Sequence, residues 1–187
     1  CRIIGPDDRE LPRGETGEIC FFGGWMMRRY HGRPEQTREV VWRDARGRSF
    51  IRSGDIGRLD GDGYLYVVDR KKDMIISGGF NVYPQMIEQA IYTHPSVQEV
   101  IVIGIPDDYR GEASKAFVTL RAGAEPFTIE DLRAFLTGKL GKHELPVAVE
   151  FLKELPRTSV GKLSRHELRN QQRQNTQQPK LATGGRS

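Results

Sequence analysis

Cysteine and long apolar runs are both scarce in this sequence, and their scarcity excludes several classes of protein. Only Cys1 and Cys20 occur among its 187 residues, which is too few for a disulfide framework. Neither is spaced to form a zinc site with the four histidines. The longest apolar run, residues 100–105, has the length of a buried strand, whereas a membrane span needs roughly 20 residues. We therefore expect a cytoplasmic protein in a reducing compartment, with no membrane span.

Aromatic residues are absent after Phe151, although the end of the chain is basic. Residues 157–187 contain seven Lys or Arg residues and one acid, and they account for the net charge of +4. A nucleic-acid interface combines such charges with aromatic rings that stack on the bases. We therefore predict no nucleic-acid binding.

The chain also lacks an N-terminal methionine and a signal peptide. It begins with Cys1 and continues at once with strand-like residues, without the charged, apolar and small-residue zones of a secretory signal. The composition, with 37% hydrophobic and 29% charged residues, is globular. We expect this sequence to begin within a longer protein.

Residues 1 to about 69 are predicted to form short strands separated by turns. β-branched and aromatic residues alternate there with pairs of Gly and Asp. Tyr64, Tyr66 and Val68 fall on one face of a strand by period-two alternation. The preceding turn, residues 60–63, predicts a β-hairpin, because a calcium loop would need another oxygen ligand in place of Tyr64.

From Arg70 the pattern alternates between strands and helices, which predicts an α+β fold. Pro84 suits the first turn of one covering helix, and Thr128 with Asp131 forms the N-cap of a second. A third helix is predicted from Leu163 to about residue 174. We expect a three-stranded sheet with covering helices over residues 70–173, and a flexible tail over residues 174–187. Strands are predicted near residues 74–76, 80–83, 97–105, 116–120 and 147–152.

Common site motifs are incomplete. Gly161 and Lys162 are followed by Leu163 where a phosphate loop needs Ser or Thr. Gly61 and Gly63 lead into a strand and lack the third glycine of a dinucleotide fingerprint. The two His-Glu pairs lack the second histidine of a zinc protease. We predict no metal site.

Five polar motifs nevertheless occur in a specific order. They are Gly-Glu-Thr-Gly-Glu-Ile at 14–19, Tyr30 with Pro34, Glu35 and Thr37, Ser-Gly-Asp-Ile-Gly at 53–57, the segment 69–84, and Leu-Pro-Arg-Thr-Ser-Val-Gly-Lys-Leu-Ser-Arg at 155–165. In this order and spacing, over roughly residues 14–170, they resemble the acyl-adenylate-forming (AMP-binding) ligases. His31 and Gly32 depart slightly from the family pattern. The Ile-Ser-Gly-Gly sequence within the segment 69–84 is more similar to that of acyl-CoA synthetases than to that of peptide-synthetase adenylation domains or luciferases.

The resemblance implies a division of the chain. Residues 1–69 would be the C-terminal, β-rich remnant of the large adenylate-forming domain. Residues 70–173 would be the small mobile domain. The phosphate loop, the adenine-binding segment and the acyl pocket of such enzymes lie upstream of Gly14, so the fragment alone is predicted to be inactive.

The resemblance also implies an ATP and AMP site. Asp55 looks like the residue that holds the ribose, because a carboxylate can accept bonds from two neighbouring hydroxyls. Its alternative role is to cap a tight turn. Arg70 resembles the arginine that reaches the ribose or phosphate. Its alternative is a surface ion pair with Asp69 or Asp73.

Lys162 looks like the catalytic lysine of adenylation, and it would contact ATP as well. A flexible ammonium can screen the carboxylate and the α-phosphate as they are brought together. The alternative is a solvated or helix-capping lysine.

Four further residues would serve the second half-reaction. Lys72 resembles the hinge between the two domains, with an exposed strand end as the alternative. Gly78 and Gly79 resemble the glycines that lie against the pantetheine arm of coenzyme A, with a strand break as the alternative. Arg165 could contact coenzyme A or solvent.

The whole pattern implies an AMP-forming acid–thiol ligase that uses ATP, coenzyme A and a carboxylic acid. Mg²⁺ would be bound mainly by the N-terminal part, and the small domain would rotate between the two half-reactions. Two alternatives stay open: an enzyme that loads a carrier-protein thiol, and a non-catalytic module that binds a nucleotide or a partner protein. The identity of the acid depends on the upstream pocket.

Overall fold

The computed structural model describes residues 1–177, and the chain divides into two compact units between Met74 and Ile75. Each unit is built on its own five-stranded sheet. No helix among the described residues is long and apolar enough to span a membrane. The predicted flexible tail falls outside the described residues from position 178 onward, whereas residues 174–177 belong to the last helix.

The first unit is an antiparallel sheet in the order β1-β2-β4-β3, with β5 paired to β4. Its core contains Ile4, Cys20, Trp42 and Phe50, and the neighbouring Ile3 and Ile19 are buried as well. The elements are β1 Arg2–Ile4, β2 Gly17–Phe21, α1 Pro34–Val40, β3 Val41–Arg43, β4 Ser49–Leu59, β5 Leu65–Arg70 and a 3₁₀ helix at Lys71–Asp73.

The predicted hairpin at residues 60–63 is confirmed. Leu59 pairs with Leu65 across it, and the Asp60 carboxylate accepts the N–H groups of Asp62 and Tyr64 at 3.0 and 2.8 Å. Helix α1 was not predicted, because it has no buried residue and so no apolar stripe in the sequence.

The second unit is centred on strand β9. It pairs antiparallel with β8 and parallel with β10, and the β6–β7 hairpin joins it through one pair, Ser77 with Gly111. The elements are β6 Ile75–Ser77, β7 Phe80–Val82, α2 Pro84–Tyr92, β8 Val97–Asp107, β9 Gly111–Leu120, α3 Ile129–Leu136, β10 Ala148–Phe151 and α4 Arg165–Gln177.

The α+β class is confirmed, and the number of strands needs a correction. The second sheet has five strands rather than three. Strands β8, β9 and β10 form its continuous part, and the short β6–β7 hairpin adds the other two. These two strands are only three residues long, so the sequence pattern does not show that they join the same sheet.

The two faces of strand β8 explain the apolar run at residues 100–105. Val100 and Val102 pack with α2 and α3, in a cluster that includes Ile87 and Leu132. The alternate residues Ile101 and Ile103 pack in a second cluster with Phe117, Leu155 and Leu168. Because both faces are covered by helices, the strand is apolar on both sides.

Candidate functional site

Asp55 and Arg70 face each other on neighbouring strands of the first unit. They are register partners on β4 and β5, and the Arg70 Nε atom lies 2.8 Å from the Asp55 carboxylate. Gly54, with φ +73°, allows an irregularity in β4 at this point. The Ser53 hydroxyl accepts the Asp55 N–H at 3.0 Å and stabilises this irregularity. Both side chains remain partly exposed, so ribose hydroxyls could reach the carboxylate.

A charged network surrounds the buried Glu18 carboxylate. Arg52 and Lys71 each donate to it at 2.8 Å, and Arg52 also reaches Asp8 at 2.6 Å. Burial lowers the pKa of Arg52, but its hydrogen bonds to Asp8 and Glu18 outweigh that effect and raise it overall. The sequence motifs include Glu18 and Lys71 but give no sign that they meet, because 53 residues separate them.

Lys72 lies in the 3₁₀ helix that ends one residue before the last residue of the first unit. Its side chain is exposed, between Lys71, which is bonded to Glu18, and the buried Asp73. A solvated residue beside an anchored one suits a backbone hinge.

Gly78 and Gly79 form the two-residue turn between β6 and β7. Their φ values are +58° and +85°, and positive φ at both central positions is what a type I′ hairpin requires. The Gly78 N–H donates to the Arg110 carbonyl at 2.9 Å. No heavy atom lies within 4 Å of the position that a Cβ atom would take on either glycine, so the turn backbone is open to a ligand. The two glycines thus separate two strands, as the strand-break alternative predicts. Their geometry is also compatible with a contact to the pantetheine arm of coenzyme A.

Lys162 lies near the tip of a tight loop in the second unit. Arg157 and Leu163 form an isolated bridge at its base. The Lys162 carbonyl accepts the Thr158 N–H at 2.7 Å, and its own N–H donates to the Thr158 hydroxyl at 3.2 Å. Among the described residues, the exposed ammonium group makes no ion pair. The loop therefore holds the backbone of Lys162 and leaves its charge available.

Arg165, at the start of α4, is held by Glu88 of α2. Its Nε and Nη2 atoms lie 3.1 and 2.5 Å from the two carboxylate oxygens. Glu88 also accepts the Val102 N–H of strand β8 at 2.8 Å. The sequence did not decide whether Arg165 contacts solvent or coenzyme A. In the structure, the Arg165–Glu88 pair links two helices and a strand, which neither alternative included.

Residues 86–162 match the family model described as "AMP-binding enzyme C-terminal domain". The family is therefore shown for residues 86–162 of the second unit, and the resemblance predicted from the motifs is confirmed there. The mixed sheet of the second unit, with its covering helices, agrees with this family match.

The long-chain-fatty-acid–CoA ligase of Bacillus subtilis (strain 168) is 45% identical over 161 residues, which are 86% of this chain and 28% of that enzyme. A feruloyl-CoA synthase of Amycolatopsis sp is 44% identical over 168 residues, 90% of this chain and 33% of that enzyme. The crystal structure of ATP-bound MatB from Rhodopseudomonas palustris matches with a TM-score of 0.79 and 37% identity, and covers 91% of this chain and 33% of that one. The chain thus spans about a third of the length of these relatives.

Proposed function

We propose that this chain is the C-terminal part of an ATP-dependent acyl-CoA synthetase. The observation that carries the proposal is Lys162: an ammonium group that makes no ion pair among the described residues, on a loop that bonds both the N–H and the carbonyl of Lys162, in a chain similar to CoA ligases over about nine-tenths of its length. Lys162 stands where the motif resemblance places the adenylating lysine, and a non-catalytic module would have no reaction for that lysine to serve.

In the first half-reaction, a carboxylate oxygen attacks the α-phosphorus of ATP and the bond to pyrophosphate breaks. Lys162 would screen the two anions and the charge that develops between them. Asp55 would accept the ribose hydroxyls, and Arg70 would hold the Asp55 carboxylate in place through its Nε atom. The products are acyl-AMP and pyrophosphate.

In the second half-reaction, the thiol of coenzyme A attacks the acyl carbon, the bond to AMP breaks, and the thiol proton is lost. We propose that a rotation about Lys72 withdraws Lys162 and brings the Gly78–Gly79 turn to the acyl-AMP. The open backbone of this turn could lie against the pantetheine arm. Arg165, which is paired with Glu88 in the structure, would contact coenzyme A.

Mg²⁺ would neutralise phosphate charge in the complete enzyme. Within residues 1–177, no three side chains of the His, Cys, Asp or Glu type come together as a metal site. We propose that the N-terminal part of the complete enzyme mainly binds the ion. We also propose a cytoplasmic location, which the two free thiols of Cys1 and Cys20 support.

The test is Lys162→Ala in the complete ligase chain, meaning these residues together with the large domain. Loss of one donor to the transition state costs about 2.7–4 kcal/mol. Pyrophosphate exchange should fall by about 10² to 10³, whereas thioester formation from supplied acyl-AMP should continue. Lys153→Ala, at another exposed lysine, is the matched control.

Unchanged exchange in Lys162→Ala would refute the proposal. Running the thioester assay with coenzyme A and, in parallel, with a carrier protein separates the two acceptors. Activity with the carrier alone would support the carrier-loading alternative.

A further inference from the structure

Arg157 ties the loop that carries Lys162 to strand β8. Its Nη1 atom donates to the Gly161 carbonyl at 2.9 Å, and its Nη2 atom lies 2.5 Å from a carboxylate oxygen of Glu99. Glu99 belongs to β8, which is buried on both faces in the core of the unit. One guanidinium group therefore connects the residue before Lys162 with a rigid strand.

Thr158 closes the same loop from within. Its carbonyl accepts the Gly161 N–H at 2.9 Å, and its amide and hydroxyl bond the carbonyl and N–H of Lys162. Packing contributes little at the tip, because Val160 is 77% exposed. The position of the Lys162 backbone therefore depends on hydrogen bonds, some between backbone groups and two made by the side chains of Arg157 and Thr158.

We propose that Arg157 and Thr158 are positioning residues for Lys162. The inference rests on the proposed function, since it assigns the placement of the adenylating ammonium group. A lysine side chain has many rotamers, so it reaches a reacting phosphate reproducibly only if its Cα atom is fixed. Arg157 suits the task because its planar fork bonds two acceptors at once, which a lysine ammonium cannot reproduce in the same geometry.

The first experiment measures adenylation in the complete ligase chain. Arg157→Ala should lower kcat for pyrophosphate exchange by about 10- to 100-fold with little change in KM for ATP. Arg157→Lys should recover only part of the loss, and Glu99→Gln should show a smaller loss. The matched control is Lys115→Ala, which breaks the Lys115–Glu150 pair, 2.7 Å, between neighbouring strands of the same sheet.

The second experiment measures amide hydrogen exchange in the 187-residue chain and does not depend on activity. In Arg157→Ala the amides of Gly161 and Lys162 should exchange at least about tenfold faster. The amides of Val102 and Val118 in the core strands should keep their rates. Thr158→Val, which removes the hydroxyl acceptor, should accelerate the Lys162 amide, whereas Thr158→Ser should not.

The two readouts separate the possible failures. Unchanged exchange at Gly161 and Lys162 in Arg157→Ala would overturn the tether itself. Faster exchange with an unchanged kcat, in Arg157→Ala and Glu99→Gln alike, would overturn the positioning role. If Lys162→Ala kept full activity, the proposed function would fail, and the positioning role would fail with it whatever the exchange rates. If Arg157→Ala failed to fold, Arg157→Lys and Glu99→Gln would carry the same comparisons.

Discussion

At the scale of single residues, three of the four cations that the motifs single out differ in their surroundings. Arg70 is paired with Asp55, Arg165 is paired with Glu88 in a partly buried position, and Lys162 has no ion partner among the described residues. A group that must meet an incoming anion benefits from the third arrangement, because no existing pair has to break first. The Glu88 pair gives Arg165 a structural role whether or not it also contacts coenzyme A.

Cys20 provides a prediction at this scale. Burial, and next the nearby Glu18 charge, raise its pKa to about 11 from the ordinary thiol value of 9.0. Only about 10⁻⁴ of the thiol is then ionised at pH 7, and the thiolate is the reactive form. We expect iodoacetamide to alkylate the exposed Cys1 and to spare Cys20 in the folded chain, as measured by peptide mass mapping.

Unfolding in urea should make both cysteines reactive, which is the internal control. The stabilising effect of the neutral Cys20 thiol is present below pH 9 and is lost as the pH rises towards 11, because the unfolded thiol ionises first. Equal labelling of the two cysteines in the folded chain at pH 7 would contradict the buried placement of Cys20.

At the scale of elements, helices with a strong local signal were predictable. The capping box of Thr128 and Asp131 forms as expected, with the Asp131 N–H donating to the Thr128 hydroxyl at 3.1 Å. Pro84 begins α2, and Ile87 and Ile91 face the core. Helix α1 escaped prediction because local propensity, rather than a buried stripe, is its only signal.

His94 joins two of these elements, and its titration should be visible in stability. It follows α2 and contacts the Phe127 ring at a tilt and the Phe135 ring edge-on, at ring-centroid distances of 4.5 and 4.7 Å. Partial burial, and next the Lys139 charge, lower its pKa from 6.5. The unfolded chain therefore takes up a proton at a higher pH than the folded chain, so stability falls as the pH decreases below about 6.5.

We expect His94→Gln to flatten this dependence. Glutamine keeps an acceptor for the Ser96 N–H, which bonds His94 Nδ1 at 3.3 Å, but carries no titrating charge. The free energy of unfolding, measured in urea between pH 7.5 and 5, should drop less in His94→Gln than in the unchanged chain. His31→Gln, at an exposed histidine, should leave the slope unaltered, and an equal effect of both variants would refute the assignment to His94.

At the scale of the whole molecule, motif order predicted the family and the residues of the candidate site, but not their partners. Lys162, Asp55 and the Gly78–Gly79 turn could be named as candidates because each lies within a short, contiguous motif. The contacts that hold the site come from far along the chain: 58 residues separate Arg157 from Glu99 and 77 separate Arg165 from Glu88. Such pairs depend on how the helices cover the sheet, and local patterns carry no information about that.

The activity of the isolated chain also depends on the whole molecule. In our proposal the chain supplies Lys162 and the Asp55–Arg70 pair, whereas the resemblance implies a phosphate loop, an adenine segment and an acid pocket outside these residues. Two reactants must be held together to gain the rate of an intramolecular reaction. We therefore expect the 187-residue chain to fold, as circular dichroism would show, yet to give no pyrophosphate exchange with a panel of fatty and aromatic acids. Exchange that disappeared in Lys162→Ala of the same 187 residues would show that they hold a complete adenylation site, and the assignment of the acid pocket to an upstream domain would be wrong.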